Sequence, residues 1–242
     1  MTHSDIQPQS RPPVTGPDSC LGVVVPVYNE GRTLAASLDA LRAITRTAQV
    51  VVVDGGSRDG SASVAAARFE TLQSPEANRG LQMNLGASHL DCSALLFLHA
   101  DTRLSAGFER KVAAALSEPS VAGGCFRLEF EPRSPMLDFY GWCTRFPGRY
   151  FHFGDQAFFV RREVFERMGG YRNLVFMEDV DFLKRLRRQG RFVILRDTVV
   201  TSARRFQRHG ILRQQLRNAL IVTLFELGVP VRLLARLYPP VR

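Results

Sequence analysis

Four stretches of the chain place carboxylates just where regular structure gives way to turns. VVVPVYNE ends at Glu30, VVVDGGSRDG carries Asp54, LHADTR carries Asp101, and MEDVDF carries Glu178, Asp179 and Asp181. A carboxylate can hold a hard divalent cation through oxygen, take a proton from a hydroxyl or accept a charge-assisted N–H bond. Each acid has a structural alternative too. Asp54 can close an Asx-turn on Gly56 or Ser57, Asp101 or Thr102 can cap a helix beginning near Ser105, and the three acids of MEDVDF can complement a helix dipole. The chemistry requires that they meet.

The surrounding pattern shows how they can. Short apolar runs rich in β-branched residues lie at 21–27, 50–53 and 94–98, and read as buried parallel strands. Between them come helical spacings: Leu34, Leu38 and Leu41, then 64–69, 81–90 and 108–116. Strand and helix alternate, predicting an α/β fold with a mostly parallel, right-handed sheet covered on both faces. In such sheets ligands bind beyond the carboxyl ends of the strands, and the three apolar runs end in PVYNE, DGGSRDG and HADTR. After Ser120 the pattern changes: VAGGCFRLEF alternates like an exposed strand, and residues 134–160 are dense in aromatics without a clear period. A helix is expected near 179–189, a strand at 191–195, and a helical tail at 211–238 with Leu212, Leu216, Leu220, Leu224 and Leu227 on one side.

In this order, VVVPVYNE, VVVDGGSRDGS, LHADTRL and MEDVDFLKRL resemble the family 2 glycosyltransferases of the GT-A fold, over roughly residues 21–195. RGLQMNLGA, FGDQAFFVRR and LARLYPPVR are more similar still to a bacterial subgroup named for its association with radical-SAM and selenodomain genes and linked to arsenosugar biosynthesis. The family resemblance implies a Rossmann-like sheet with a small antiparallel acceptor-side region. It also implies an inverting hexosyl transfer from a nucleotide-sugar donor, uridine-linked, to a small-molecule or lipid-linked hydroxyl acceptor. On that resemblance Asp54 accepts a hydrogen bond from the base, while Pro26, Tyr28 and Glu30 shape the base and ribose pocket. Asp101 holds Mg²⁺ or Mn²⁺ against the diphosphate. The usual Asp-x-Asp reads His99-Ala100-Asp101 here, so the first acid is missing and His99 is left to bond the ribose or, as the second alternative, to favour Mn²⁺. Asp179 is the general base, with Glu178 orienting the acceptor or tuning its neighbour. Gly154, Asp155 and Gln156 lie under donor sugar or acceptor, and Arg79 and Arg204 (or Arg205) neutralise the leaving diphosphate. Of the aromatics, Trp142 is the candidate for stacking on a sugar or an apolar acceptor, and a core layer is the expectation for most of the others.

Charge is unevenly distributed. Residues 184–242 carry 14 Lys and Arg against Asp197 and Glu226, a net of +12, and everything before them sums to −3. Thirty of the 32 basic residues are arginine, which pairs with phosphate oxygens in a bidentate fork. The expected organisation is a disordered tail over 1–19, a GT-A domain over 20–205 and a basic, amphipathic helical segment over 206–242. That last segment either packs on the domain or rests on an anionic membrane. No Gly-x-Gly-x-x-Gly follows a strand, which disfavours a nicotinamide enzyme. Nucleic acid is not among the expected partners; a non-catalytic, polyanion-binding module on the same frame is the rival reading. Four cysteines without metal-site spacing predict free thiols and a cytoplasmic location, soluble or peripheral on the inner membrane surface.

Overall fold

A computed structural model describes residues 20–148 and 150–237; the tail expected over 1–19 lies outside them. The first half is the expected βα alternation. Strands β1 (Leu21–Val27), β2 (Gln49–Asp54), β3 (Glu70–Gln73) and β4 (Ala94–Phe97) alternate with helices α1 (Gly31–Ile44), α2 (Ser61–Ala66) and α3 (Arg79–His89). All seven residues of β1 are buried because the strand lies between β2 and β4, parallel to both. Pro26 is tolerated in this central strand because β1 pairs with β4 only through Leu21–Val24, so no ladder bond is lost on that side.

The chain continues through the two-residue β5 (Thr102–Arg103), α4 (Phe108–Leu116), β6 (Val121–Glu131), α5 (Pro135–Cys143), β7 (Phe158–Arg161) and α6 (Arg162–Arg167). It ends with α7 (Glu178–Leu186), β8 (Arg191–Ser202), α8 (Arg204–His209), α9 (Ile211–Glu226) and α10 (Val231–Leu237). One eight-stranded sheet results, in the order β3-β2-β1-β4-β7-β6-β8-β5. β7 runs antiparallel between β4 and β6, which splits a parallel half from a mixed half. One core layer joins Leu34, Leu38 and Leu41 of α1 to Phe108 and Val112 of α4 across the sheet. The other joins Met83 of α3 to Phe165 of α6 and Phe182 of α7.

Three expectations fail here. VAGGCF is buried on both sides, because β6 is an interior strand between β7 and β8; alternation appears only from Arg127 onward. β8 runs to Ser202 rather than stopping at 195, because β6 continues beside it to Glu131. Cys20 and Cys92 are paired as a disulfide, with Cα atoms 4.7 Å apart. They precede β1 and β4, whose register sets Leu21 beside Ala94, so the strand starts bring the two thiols together. Cys125 and Cys143 are free.

Candidate active site

The parallel pairing of β2, β1 and β4 sends their carboxyl ends to one edge, where hydrogen bonds tie side chains of successive loops together. Asp54, at the end of β2, is buried, and its Oδ2 accepts N–H bonds from Gly56 and Ser57, both 2.9 Å. The Asx-turn is therefore real. It uses only one oxygen: Oδ1 is buried without a partner, an orphan acceptor of the kind folded proteins seldom leave. The loop after β1 is tied to this turn, since Asn29 N–H donates to Ser57 Oγ (2.9 Å) and Asn29 Oδ1 accepts from Arg58 N–H (2.9 Å). Asn29 takes a left-handed φ of 53°, a conformation asparagine accepts more readily than most residues.

From Glu30 the network crosses to Asp101. Arg204 Nη2 donates to Glu30 Oε2 at 2.9 Å and to Asp101 Oδ2 at 3.2 Å, so one guanidinium from the start of α8 spans both loops. Burial draws the Arg204 pKa down, but Glu30 and Asp101 outweigh it and hold it above its ordinary value. Asp155 lies within the field of Asp101 and Asp179; burial first, then those two charges, push it up to about 7. Its Oδ1 is also buried without a partner.

Asp179 stands at the first turn of α7. The preceding Met177 has a left-handed φ of 64°, which turns the chain sharply into the helix. Asp179 Oδ2 accepts from Gly154 N–H and Oδ1 from its neighbour Val180 N–H, both 2.8 Å. Burial and the adjacent Glu178 raise its pKa to about 6, against the pull of the two N–H donors and Arg79. Glu178 is buried and bonded to Arg79 Nη1 at 3.0 Å. Gly154 is needed as glycine: a Cβ there would lie 2.7 Å from His99 Nε2 and 3.3 Å from Asp179 Cβ. His99 therefore packs against the turn that positions Asp179, and burial together with Arg79 drives its pKa well below the usual value, so the ring is neutral at pH 7.

Residues 22–173, well over half of the chain, match the family described as Glycosyl transferase family 2. The chain belongs to that family. Solved structures resemble it through the fold. The mannosyltransferase PcManGT from Pyrobaculum calidifontis, in complex with GDP-Man and Mn²⁺, superposes with a TM-score of 0.68 at 21% identity, covering 91% of this chain and 67% of that one. TarS residues 1–349 from S. aureus give 0.62 at 15%, covering 84% and 65%, and the same protein with UDP-GlcNAc gives 0.61 at 16%, covering 76% and 58%. The chain thus spans about two thirds or less of the length of these neighbours. No curated protein sequence matches it significantly.

Not every predicted site residue reaches the cleft. Gln156 is fully buried: its Oε1 meets His152 Nδ1 at 2.7 Å and Cys125 Sγ at 3.3 Å, and its Nε2 donates to Phe151 O. It anchors the Gly154 turn from below and touches no ligand space. Pro26 is likewise a buried strand residue. Gly80, next to Arg79, admits the Arg172 carbonyl, which a Cβ would meet at 2.9 Å. Trp142 is exposed on α5 and stacks with Phe139 at 6.0 Å. The core layer expected for most of its aromatic neighbours is met only in part: Phe139, Phe146 and Tyr150 are exposed with it, whereas Tyr140 packs on the core beside Phe130 and Phe206, and Phe153 packs beside Met177 and Val180. Sequence reasoning missed Gln82, whose Nε2 donates to Val27 O at 2.8 Å and Val53 O at 2.7 Å. It ties the ends of β1 and β2 together directly under the Asp54 turn. A glutamine on the sheet-facing side of α3 was the available signal.

Proposed function

We propose that the chain transfers a hexose from a nucleotide sugar, uridine-linked, to a hydroxyl acceptor with inversion at the anomeric carbon. The observation that carries this reading is the placement of Asp179, a carboxylate raised to about 6 and aimed by two N–H donors beside Asp101, Asp155 and Arg79. A base of that affinity is ionised at neutral pH yet accepts a proton readily from an attacking hydroxyl. Glu178 keeps the Asp179 proton affinity high and fixes Arg79, whose half-exposed guanidinium supplies positive charge next to the acid pair. The orphan Oδ1 of Asp54 supports a base-binding role, since the imide N–H of uracil would satisfy it. Tyr28 and Glu30 border the same turn. The neighbours bind GDP-Man and UDP-GlcNAc respectively, which supports a nucleotide-sugar donor without choosing the base.

The residues fit a divalent cation in part. Among the described residues no three His, Cys, Asp or Glu side chains group closely enough to hold a metal alone. Asp101, with the partnerless Oδ1 of Asp155 in its field, offers hard oxygen ligands to Mg²⁺ or Mn²⁺. Donor diphosphate oxygens would have to complete the shell. When bound, such an ion neutralises charge on the departing diphosphate. Arg204, already on Asp101, adds a second positive group there. The narrower subgroup reading, with its arsenosugar link, rests on its three sequence motifs alone.

Thermal-shift measurements with UDP, GDP and dTDP sugars, each with Mg²⁺ or Mn²⁺, test the reading. A uridine sugar should raise Tm most, because a ligand that binds only the folded state stabilises it by mass action. No shift with any nucleotide, alongside salt-sensitive binding of polyanions, would favour a non-catalytic basic module instead.

A further inference from the structure

Helix α9 turns its leucines outward. Leu212, Leu216 and Leu220, with Leu227 just past the helix end, are each more than half exposed; Leu224, expected on the same side, is half-buried; α10 continues the surface with Leu233 and Leu237. At about 100° per residue positions 212, 216, 220, 223 and 227 form one stripe, and the buried Gln214, Ile221 and Val222 face the other way. Those inner residues do the packing: Ile221 and Val222 rest on Met177 and Val180, on either side of the acid pair.

The stripe continues into a second element. Phe139, Trp142 and Phe146 are exposed in a row on α5 and the turn after it, with ring centroids 6.0 and 4.8 Å apart. Tyr150, also exposed, brings its hydroxyl to 3.4 Å from Thr223 Oγ1, within the leucine stripe. Tyr150, four residues past Phe146, thus ties the segment after α5 to the leucine stripe. Around them the charge is positive: Arg213 and Arg217 flank the stripe, Arg232 and Arg236 flank the leucines of α10, and the Arg145 guanidinium lies 4.9 Å over Trp142.

We propose that this face docks on the interfacial layer of an anionic lipid bilayer, its leucines and aromatics entering the headgroup boundary and its arginines meeting acidic headgroups. A second copy of the chain fits less well. Self-association would oppose two faces bordered by Arg145, Arg213, Arg217, Arg232 and Arg236, and the acid of α9, Glu226, is already bonded to Lys184. Acidic lipid supplies the missing negative charge. Docking through α9 would hold the Glu178–Asp179 pair about one helix diameter, on the order of 10 Å, from the lipid. The inference does not depend on the transfer reaction: a chain that moves no sugar would still dock.

Flotation of the full chain tests it, with vesicles of phosphatidylcholine alone and of phosphatidylcholine mixed equally with phosphatidylglycerol. The chain should float with the mixed vesicles at low salt, at least about tenfold more than with neutral ones. The emission of Trp142, its single tryptophan, should shift to the blue as it does so. Leu216→Glu/Leu220→Glu, at solvent-exposed positions, should cut the bound fraction at least about tenfold with an unchanged circular dichroism spectrum. Three results would overturn the proposal: no flotation with anionic vesicles, flotation indifferent to the double substitution, or a dimer in sedimentation equilibrium that the double substitution dissolves. The wild-type lipid comparison and the Trp142 shift decide the matter even where the variant is poorly behaved.

Discussion

Asp179→Asn separates a catalytic carboxylate from a helix-start carboxylate by the sign of its effect on stability. In the folded protein burial and Glu178 raise the Asp179 pKa from 3.8 to about 6. For an acid, that means the folded state binds more protons than the unfolded chain between about pH 4 and 6, so stability falls as pH rises through that window. Two pKa units at about 1.4 kcal/mol each give a penalty of about 3 kcal/mol above pH 7, and roughly half of it at pH 5. Asparagine removes the charge and hence the penalty. It also forfeits one of the two N–H bonds from Gly154 and Val180, about 1 to 2 kcal/mol, but that loss is the same at both pH values. Urea denaturation of both proteins at pH 5 and pH 8, in chelator and without nucleotide, therefore isolates the charge. Relative to wild type, the variant should gain on the order of 1 kcal/mol on going from pH 5 to pH 8, while losing turnover by at least ~10²-fold. A carboxylate that merely complements the helix dipole is worth about 0.3 to 1 kcal/mol when ionised, so the variant would then fare no better, and somewhat worse, at the higher pH. A gap independent of pH, or one of that opposite sign, would refute the reasoning.

The other expectations are briefer. Asp54→Asn keeps an oxygen for Gly56 and Ser57 but turns an amide nitrogen toward the base, so nucleotide affinity in calorimetry should fall roughly 10- to 100-fold with little change in Tm; unchanged affinity would remove Asp54 from the site. Asp101→Ala should abolish the part of nucleotide binding that depends on Mn²⁺ and spare the metal-free part; an equal loss of both would tie Asp101 to the fold through Arg204 instead. Gly154→Ala would force the new methyl against His99, 2.7 Å from its Nε2. The expected cost is about 1 to 3 kcal/mol of stability and a fall in kcat larger than any rise in KM, and wild-type kinetics would show that the turn adjusts freely.

The parallel half of the fold was legible because its signals are local. A strand buried on both faces must be apolar throughout, and LGVVVPV and QVVVVD are nearly so. Asp54 was legible for a related reason, since a buried strand that ends in an acid needs a partner for it. The second half was harder because its cues depend on partners far away in sequence. VAGGCF reads as an exposed strand until β7 and β8 close on both of its sides, and neither strand is announced by the residues of β6 itself. The disulfide has the same origin: Cys20 and Cys92 are 72 residues apart, and only the β1–β4 register brings them together.

Direction was the quantity the sequence withheld at the site as well. GDQ looks like three equivalent polar residues on a turn, yet Gly154 reaches Asp179, Asp155 faces the carboxylates, and Gln156 points down to His152 and Cys125. Which polar side chain faces the cleft is set by the 3₁₀ turn at Gly154–Gln156, a conformation that composition does not encode. The leucines of α9 pose the same problem on a larger scale. A period of 3.6 identifies a stripe but not the side on which the protein lies, and here Ile221 and Val222 claim the inner side by packing on Met177 and Val180. The residues that hold the acid pair from behind are thereby the ones that turn Leu212, Leu216, Leu220 and Leu227 into solvent. Burying Ile221 and Val222 and exposing the stripe are one structural choice, which is why the outward face is to be explained by what covers it and not by poor packing.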